Sequence, residues 1–179
     1  LFRSTGGAVT LASPVIIGAS QSWTNNSSSL LLVNDATTSA LSGTANLTLN
    51  GTGRVSVVGL ASATAYSGNI TIKRQTSALK FLDYVLWSSP VADQQLQSFS
   101  PATLATRFYT YNSSTNLYNV VASPSTTNFK NAIGYLIRMP NNHPTTATIW
   151  EGQFQGIPNN GDFSLAIAQN KYNTKGNPY

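Results

Sequence analysis

The sequence predicts an all-β chain. A short β-solenoid-like (β-helix-like) segment is expected over residues 1–75, followed by a β-sandwich-like module over 76–179 that is truncated at the C-terminus. Three observations carry this. Short apolar-alternating runs are separated by turn-forming clusters: Trp87-Ser88-Ser89-Pro90, Met139-Pro140-Asn141-Asn142, Ile157-Pro158-Asn159-Asn160-Gly161 and Gly176-Asn177-Pro178-Tyr179. Pro fixes φ, whereas Asn and Gly tolerate positive φ, so each cluster reverses the chain sharply. Charged residues make up 8% of the chain, against roughly 25% in an ordinary soluble domain, and Ser, Thr and Asn supply roughly a third of it. An exterior of neutral hydroxyls and amides around β-branched runs is typical of long extracellular β proteins. Hydrophobic content of 41%, with eight Tyr, seven Phe and three Trp, argues against disorder, since disordered segments lack core-forming residues.

Taken in order, strands are expected at 9–11, 15–17, 30–33, 47–49, 54–58 and 70–73, joined by Gly, Ser, Asn and Thr. Between Leu47 and Val58 the run Asn50-Gly51-Thr52-Gly53 separates two apolar stretches. It reads either as a tight hairpin or as the corner of a parallel coil in which short strands stack on the next turn. From Leu79 onward aromatics thicken and the strands lengthen, at 83–88, 106–111, 117–121, 133–138, 146–155 and 162–168. A helix-like piece near 96–104 is limited to about a turn by Pro101.

In Arg107-Phe108-Tyr109-Thr110-Tyr111 the period of two places Phe108 and Thr110 on one face and Arg107, Tyr109 and Tyr111 on the other. The latter three are the candidate contact surface, as a platform for sugar rings. Trp23 and Tyr118 are further aromatics of that kind, whereas Trp87 and Trp150 sit within strand patterns and are expected in the core.

Composition and spacing exclude several classes of function. With no Cys, neither a disulfide framework nor a thiolate metal site exists. No apolar run approaches the ~20 residues of a membrane helix, so the chain is not expected to span a membrane. Leu1-Phe2-Arg3-Ser4 lacks the layout of a signal peptide, so an export signal would have been removed or would lie upstream. The formal charge is +5, but the basic residues are scattered and Lys73-Arg74 is their adjacent pair. A nucleic-acid binder concentrates its cations on one face, and nucleic acid is not an expected partner.

Catalysis is not expected. The single His, His143, lies in the turn Pro140-Asn141-Asn142-His143-Pro144 and reads as an exposed loop residue without a nucleophile and orienting group in reach. The five acids, Asp35, Asp83, Asp93, Glu151 and Asp162, form no recognisable pair for glycoside hydrolysis and read as turn-forming residues. No catalytic residue, cofactor or metal ligand is assigned. The nearest approach to a calcium loop is Asn159-Asn160-Gly161-Asp162, which lacks clustered carboxylates.

Two resemblances add to this reading. Gln21-Ser22-Trp23-Thr24-Asn25-Asn26, then Leu31-Leu32-Val33, then Leu41 to Gly53 is similar to the repeat of autotransporter-type adhesin β-helices. The ordered segments Leu79 to Ala92, Phe99-Ser100-Pro101, Arg107 to Asn112, Gly134 to Pro140, Phe154 to Gly161 and Gly176-Asn177-Pro178-Tyr179 resemble a module of large surface and secreted proteins of the Bacteroidetes exported by the type IX secretion system. That resemblance implies a non-catalytic structural or adhesive module, extracellular or held at the cell surface in association with the outer membrane. Its partners would be the outer-membrane secretion machinery, adjacent domains of the same polypeptide and surface glycans. In that family the chain continues past the Asn-Pro-Tyr turn into a sorting domain, so the edge strand after Ile167 is expected to be unpaired or capped by further residues. The alternative is a carbohydrate-binding accessory module of a secreted protein.

Overall fold

The computed structural model describes residues 2–4, 7–34, 41–51, 55–58, 68–159 and 162–178. The chain is all-β, with one four-residue α-helix and a single 3₁₀ turn among the described residues. It divides into two compact units: Leu1–Arg74 with Gln155–Asp162, and Gln75–Phe154 with Phe163–Tyr179.

In the first unit the strands are β1 (Phe2–Ser4), β2 (Val9–Leu11), β3 (Val15–Ile17), β4 (Gln21–Asn25), β5 (Leu31–Asn34), β6 (Leu41–Gly43), β7 (Leu47–Asn50), β8 (Val55–Val58) and the start of β9 (Ile70–Leu79). Among the described residues these strands pair in parallel. β1, β4, β7 and β9 lie side by side, as do β2, β5 and β8, and β3 lies beside β6. From β1 to β8 every third strand therefore returns to the same sheet, and β9 then joins β7. Trp23 stands beside Leu49 and Leu49 beside Ile72, and all three side chains are buried. Leu47 beside Ile70 repeats the arrangement two residues earlier. Each such side chain contributes roughly 1.5–3 kcal/mol on burial.

The sequence enforces this register through a short repeat. Asn46-Leu47-Thr48-Leu49 and Asn69-Ile70-Thr71-Ile72 enter the same sheet, the Leu and Ile facing inward and the Thr outward. The Asn46 side-chain oxygen accepts the Asn69 N–H at 3.2 Å, and Leu47 N–H donates to the Asn69 carbonyl at 3.0 Å. Polar contacts also bind neighbouring strands, as in Asn50 Nδ2 donating to Ser22 Oγ at 2.7 Å.

Asn50-Gly51 is a corner and not a hairpin. β7 pairs with β4 and β9, whereas β8 pairs with β5, in a different sheet. Gly51 has φ +97°, and a Cβ there would collide with the carbonyl of Asn25 on the strand below. Asn25 is buried at that same bend. Its Nδ2 donates to the Ser29 carbonyl at 2.9 Å and its Oδ1 accepts the Ser27 N–H at 3.0 Å. A buried amide at the end of β4 breaks the apolar alternation by which strands are recognised, and for that reason β4 is missing from the sequence expectation.

In the second unit, β10 (Tyr84–Trp87), β11 (Phe108–Asn112), β12 (Leu117–Val120) and β13 (Tyr135–Arg138) form an antiparallel sheet in the order β10-β13-β11-β12. Residues 75–79 of β9 run beside β14 (Thr148–Gly156), where Trp150 N–H donates to Thr76 Oγ1 at 3.0 Å. An aromatic core joins Trp87 of β10, Phe99 of α1 (Leu96–Phe99), Phe129, Tyr135 of β13, and Trp150 and Phe154 of β14. Phe99 and Phe154 stack at 4.4 Å, and the others meet edge to face. Trp87 is buried, as its strand pattern implies, whereas Trp150 is half-buried with its ring packed on Trp87 and Phe99. Pro101 closes α1 after a single turn, also as expected.

The strand expected at 162–168 does not form. Phe163, Leu165 and Ile167 alternate correctly, but Ile167 is 70% exposed, and side chains take the place of a ladder. Asn173 Oδ1 accepts the Ala168 N–H at 2.9 Å, its Nδ2 donates to the Ala168 carbonyl at 3.0 Å, and Lys175 Nζ donates to the Ala166 carbonyl at 3.0 Å. Alternation makes a strand only where a neighbouring edge supplies partners.

Candidate functional site

The two faces of the four-stranded sheet differ sharply in character. Val85, Trp87, Phe108, Thr110, Tyr135 and Ile137 share the inner face, given the register of β10, β11 and β13. On the outer face, Leu86, Leu136, Tyr109 and Val120 lie opposite one another across all four strands. Leu86 is 51% and Val120 50% exposed, so this band meets water. Such contiguous apolar surface is a recognised mark of contact sites.

Arg107, Tyr109 and Tyr111 all belong to this face, but the structure gives them different surroundings. Arg107 Nη1 donates to Tyr109 Oη at 3.2 Å. That bond, followed by the Coulombic influence of Tyr109 and Tyr84, raises the affinity of the guanidinium for its proton. Tyr109 packs edge to face against Tyr84, with ring centroids 6.0 Å apart. The Tyr84 phenol is held above its ordinary range, first by burial and then by its hydrogen bond and charge coupling with Tyr109. Tyr111 instead meets Tyr118 at 5.2 Å, and its hydroxyl donates to Asn116 Oδ1 in the β11–β12 turn. The rings thus form two separate pairs and not one continuous row. Alternation in 107–111 identified the face, whereas Tyr84 required the pairing of β10 with β13, which sequence alone does not supply.

At one end of the face Arg138 is buried against Phe81, its guanidinium carbon 5.1 Å from the ring centroid, and Nη2 donates to Asn141 Oδ1. Thr103 Oγ1 donates to the Arg138 carbonyl at 2.9 Å. These contacts hold the loop 139–143 to the sheet edge.

His143 overturns its expectation. It lies in a turn, with its N–H donating to the Pro140 carbonyl at 2.9 Å, but it is buried and not exposed. Its Nε2 donates to the Leu79 carbonyl at 2.9 Å, so the ring serves as a tether between loop and strand. The amides and prolines around it signal a turn correctly but carry no information about burial.

The acids fall in separate places. Asp83 Oδ2 accepts the Lys80 N–H at 2.7 Å, closing a turn. Asp93 has φ +57° and accepts from Asn128 Nδ2 at 3.5 Å. Glu151 accepts from Gln75 Nε2 at 3.5 Å. Asp162 is exposed, and Asp35 lies outside the described residues. Among the described residues no three His, Asp or Glu side chains gather as a metal site. Of the calcium candidate, Asn160 and Gly161 lie outside the described residues and Asn159 is buried. No helix among the described residues is long and apolar enough to cross a membrane.

No curated protein and no solved structure matches the chain significantly. A family of protein domains does, over residues 4–179, and therefore across both compact units. That match shows that the chain belongs to the family described as Domain of unknown function (DUF8693).

Proposed function

We propose that this chain is a non-catalytic structural and adhesive module of a large exported bacterial cell-surface protein. The first unit is read as a short β-solenoid and the second as a β-sandwich-like domain. The observation that carries this reading is the parallel register in which Trp23 of β4, Leu49 of β7 and Ile72 of β9 form one buried column. A coil of that kind projects a domain away from its anchor, because each turn buries its apolar side on the next. The low charge content fits an extracellular setting. Export by the type IX route rests on the ordered motifs between 79 and 179 and on nothing else.

Protease treatment of intact cells producing the parent protein tests the proposal. Loss of the chain from the cell-associated fraction without lysis is expected. Complete protection, with release only after cell rupture, overturns surface placement.

A second reading, a carbohydrate-binding accessory module, is favoured by the tyrosine pairs on the outer sheet face. Aromatic rings with one apolar face and a polar edge suit sugar rings. Glycan binding that falls on Tyr109→Ala or Tyr111→Ala supports it, and no binding to any glycan removes it.

A further inference from the structure

An open cleft of about 450 Å³ with mixed polar and apolar walls lies in the second unit between the β11–β12 turn and the loop around Asn170. Ser113, Asn116, Asn170, Lys171 and Tyr172 line it. That volume is within the range of small-ligand sites, roughly 300–1,000 Å³.

The walls are fixed to each other. Asn112 Oδ1 accepts the Ser114 N–H at 2.9 Å, which shapes the turn. Asn173 closes the opposite loop by donating to the carbonyls of Ala168 and Lys171 at 3.0 and 2.8 Å. Asn173 Oδ1 also accepts from Ser113 Oγ at 3.3 Å, tying one wall to the other. Preorganised walls lower the ordering cost of binding.

The groups presented inside are two amides, two hydroxyls, an ammonium and one bare ring. Asn116 Oδ1 is engaged by Tyr111, whereas Asn116 Nδ2, the Asn170 amide, Lys171 Nζ and Tyr172 Oη have no hydrogen-bond partner among the described residues. Tyr172 is 78% exposed, so its ring is open to a ligand. Among the described residues no carboxylate lines the cleft, and the sequence of the unit holds six Lys and Arg against three Asp and Glu.

We propose that this cleft binds an acidic sugar, a pyranose bearing a carboxylate. The C–H face of the ring stacks on Tyr172, because weakly positive hydrogens meet the negative face of the aromatic ring. The carboxylate pairs with Lys171, and the amides of Asn116 and Asn170 bond the ring hydroxyls. The inference rests on the carbohydrate reading above but assigns the ligand to a different place from the tyrosine pairs of the sheet face.

Titration of the whole chain with trigalacturonic acid and with its methyl ester tests it, since the two differ only in the carboxylate. The acid is expected to bind and the ester to bind about tenfold more weakly or less. Tyr172→Ala should weaken acid binding by at least about tenfold. Lys171→Gln should bring acid and ester to the same affinity and abolish the salt dependence of binding. An unchanged melting temperature in Tyr172→Ala shows that the fold survives the change. Absence of binding at millimolar acid overturns the inference, as does equal binding of acid and ester by the unaltered chain. If Tyr172→Ala binds normally while Tyr109→Ala does not, the carbohydrate reading stands and the cleft assignment fails.

Discussion

The ring of Phe99 lies against the bare Cα of Gly152. A Cβ built at Gly152 would fall 2.7 Å from Phe99 Cζ, closer than two carbon atoms approach without repulsion. Gly152 sits between Trp150 and Phe154 on β14, and the missing side chain is the space into which α1 inserts its ring, stacked at 4.4 Å on Phe154. Gly152→Ala is therefore expected to destabilise the second unit by about 1–3 kcal/mol, the usual cost of overpacking a core. Urea unfolding reads the change, and an unaltered midpoint would show that Phe99 does not occupy this position.

Gly43 plays a comparable part in the first unit. It has φ +111°, and a Cβ there would stand 2.5 Å from the Ile17 carbonyl oxygen of the neighbouring strand. Gly43→Ala combines a strained backbone with a clash, so a loss of about 1–3 kcal/mol is expected. Equal thermal stability of the variant and the unaltered chain would contradict the pairing of β3 with β6.

His143 is expected to matter for stability and not for chemistry. His143→Ala leaves the Leu79 carbonyl without its ring donor, at a cost of about 1–3 kcal/mol. His143→Gln retains a donor of similar reach and should recover part of the loss. Glycan binding should be the same in all three proteins, measured at a temperature where each is folded.

Alkaline pH should weaken the fold. Burial raises the Tyr135 phenol above its ordinary value of 10.0, opposed by the Lys130 N–H that donates to its oxygen, and burial also raises Tyr84. A group that holds its proton more tightly when folded contributes stability that is whole below its unfolded value and is lost as pH rises through the folded one. Melting temperatures should be flat between neutral pH and about pH 9.5, then decline as the phenols ionise. Tyr135→Phe should flatten part of that decline, and an identical alkaline profile in this variant would sink the assignment.

Much of the fold is legible in the sequence where two conditions coincide: apolar alternation and a flanking turn signal. β2 and β11 satisfy both, and the inward placement of Phe108 follows directly from the period of two, whereas β3 (Val15–Ile17) is legible as a continuous apolar run between Pro14 and Gly18. β4 and β6 escape because a buried Asn25 and a Gly-terminated run break the alternation. The repeat beginning at Asn46 and Asn69 was available as a signal, since both four-residue segments place Asn, an aliphatic, Thr and an aliphatic in the same order. Residues 162–168 fail in the opposite direction, having the pattern without a partner edge. At the candidate site, alternation identifies the face holding Arg107, Tyr109 and Tyr111. Its partition into two ring pairs, and the cleft at Tyr172, depend on contacts between residues up to 60 positions apart, as in Ser113 with Asn173. Local sequence does not encode those.

The parallel column through Trp23, Leu49 and Ile72 is the foundation of the proposed coil, and nuclear Overhauser contacts between these side chains test it most directly. Neighbouring strands lie about 5 Å apart, so Trp23 indole protons should meet Leu49 methyls, and Leu49 methyls should meet those of Ile72. Absence of these contacts, together with direct amide contacts between β7 and β8 across Asn50-Gly51, would mean an antiparallel hairpin and would contradict the account.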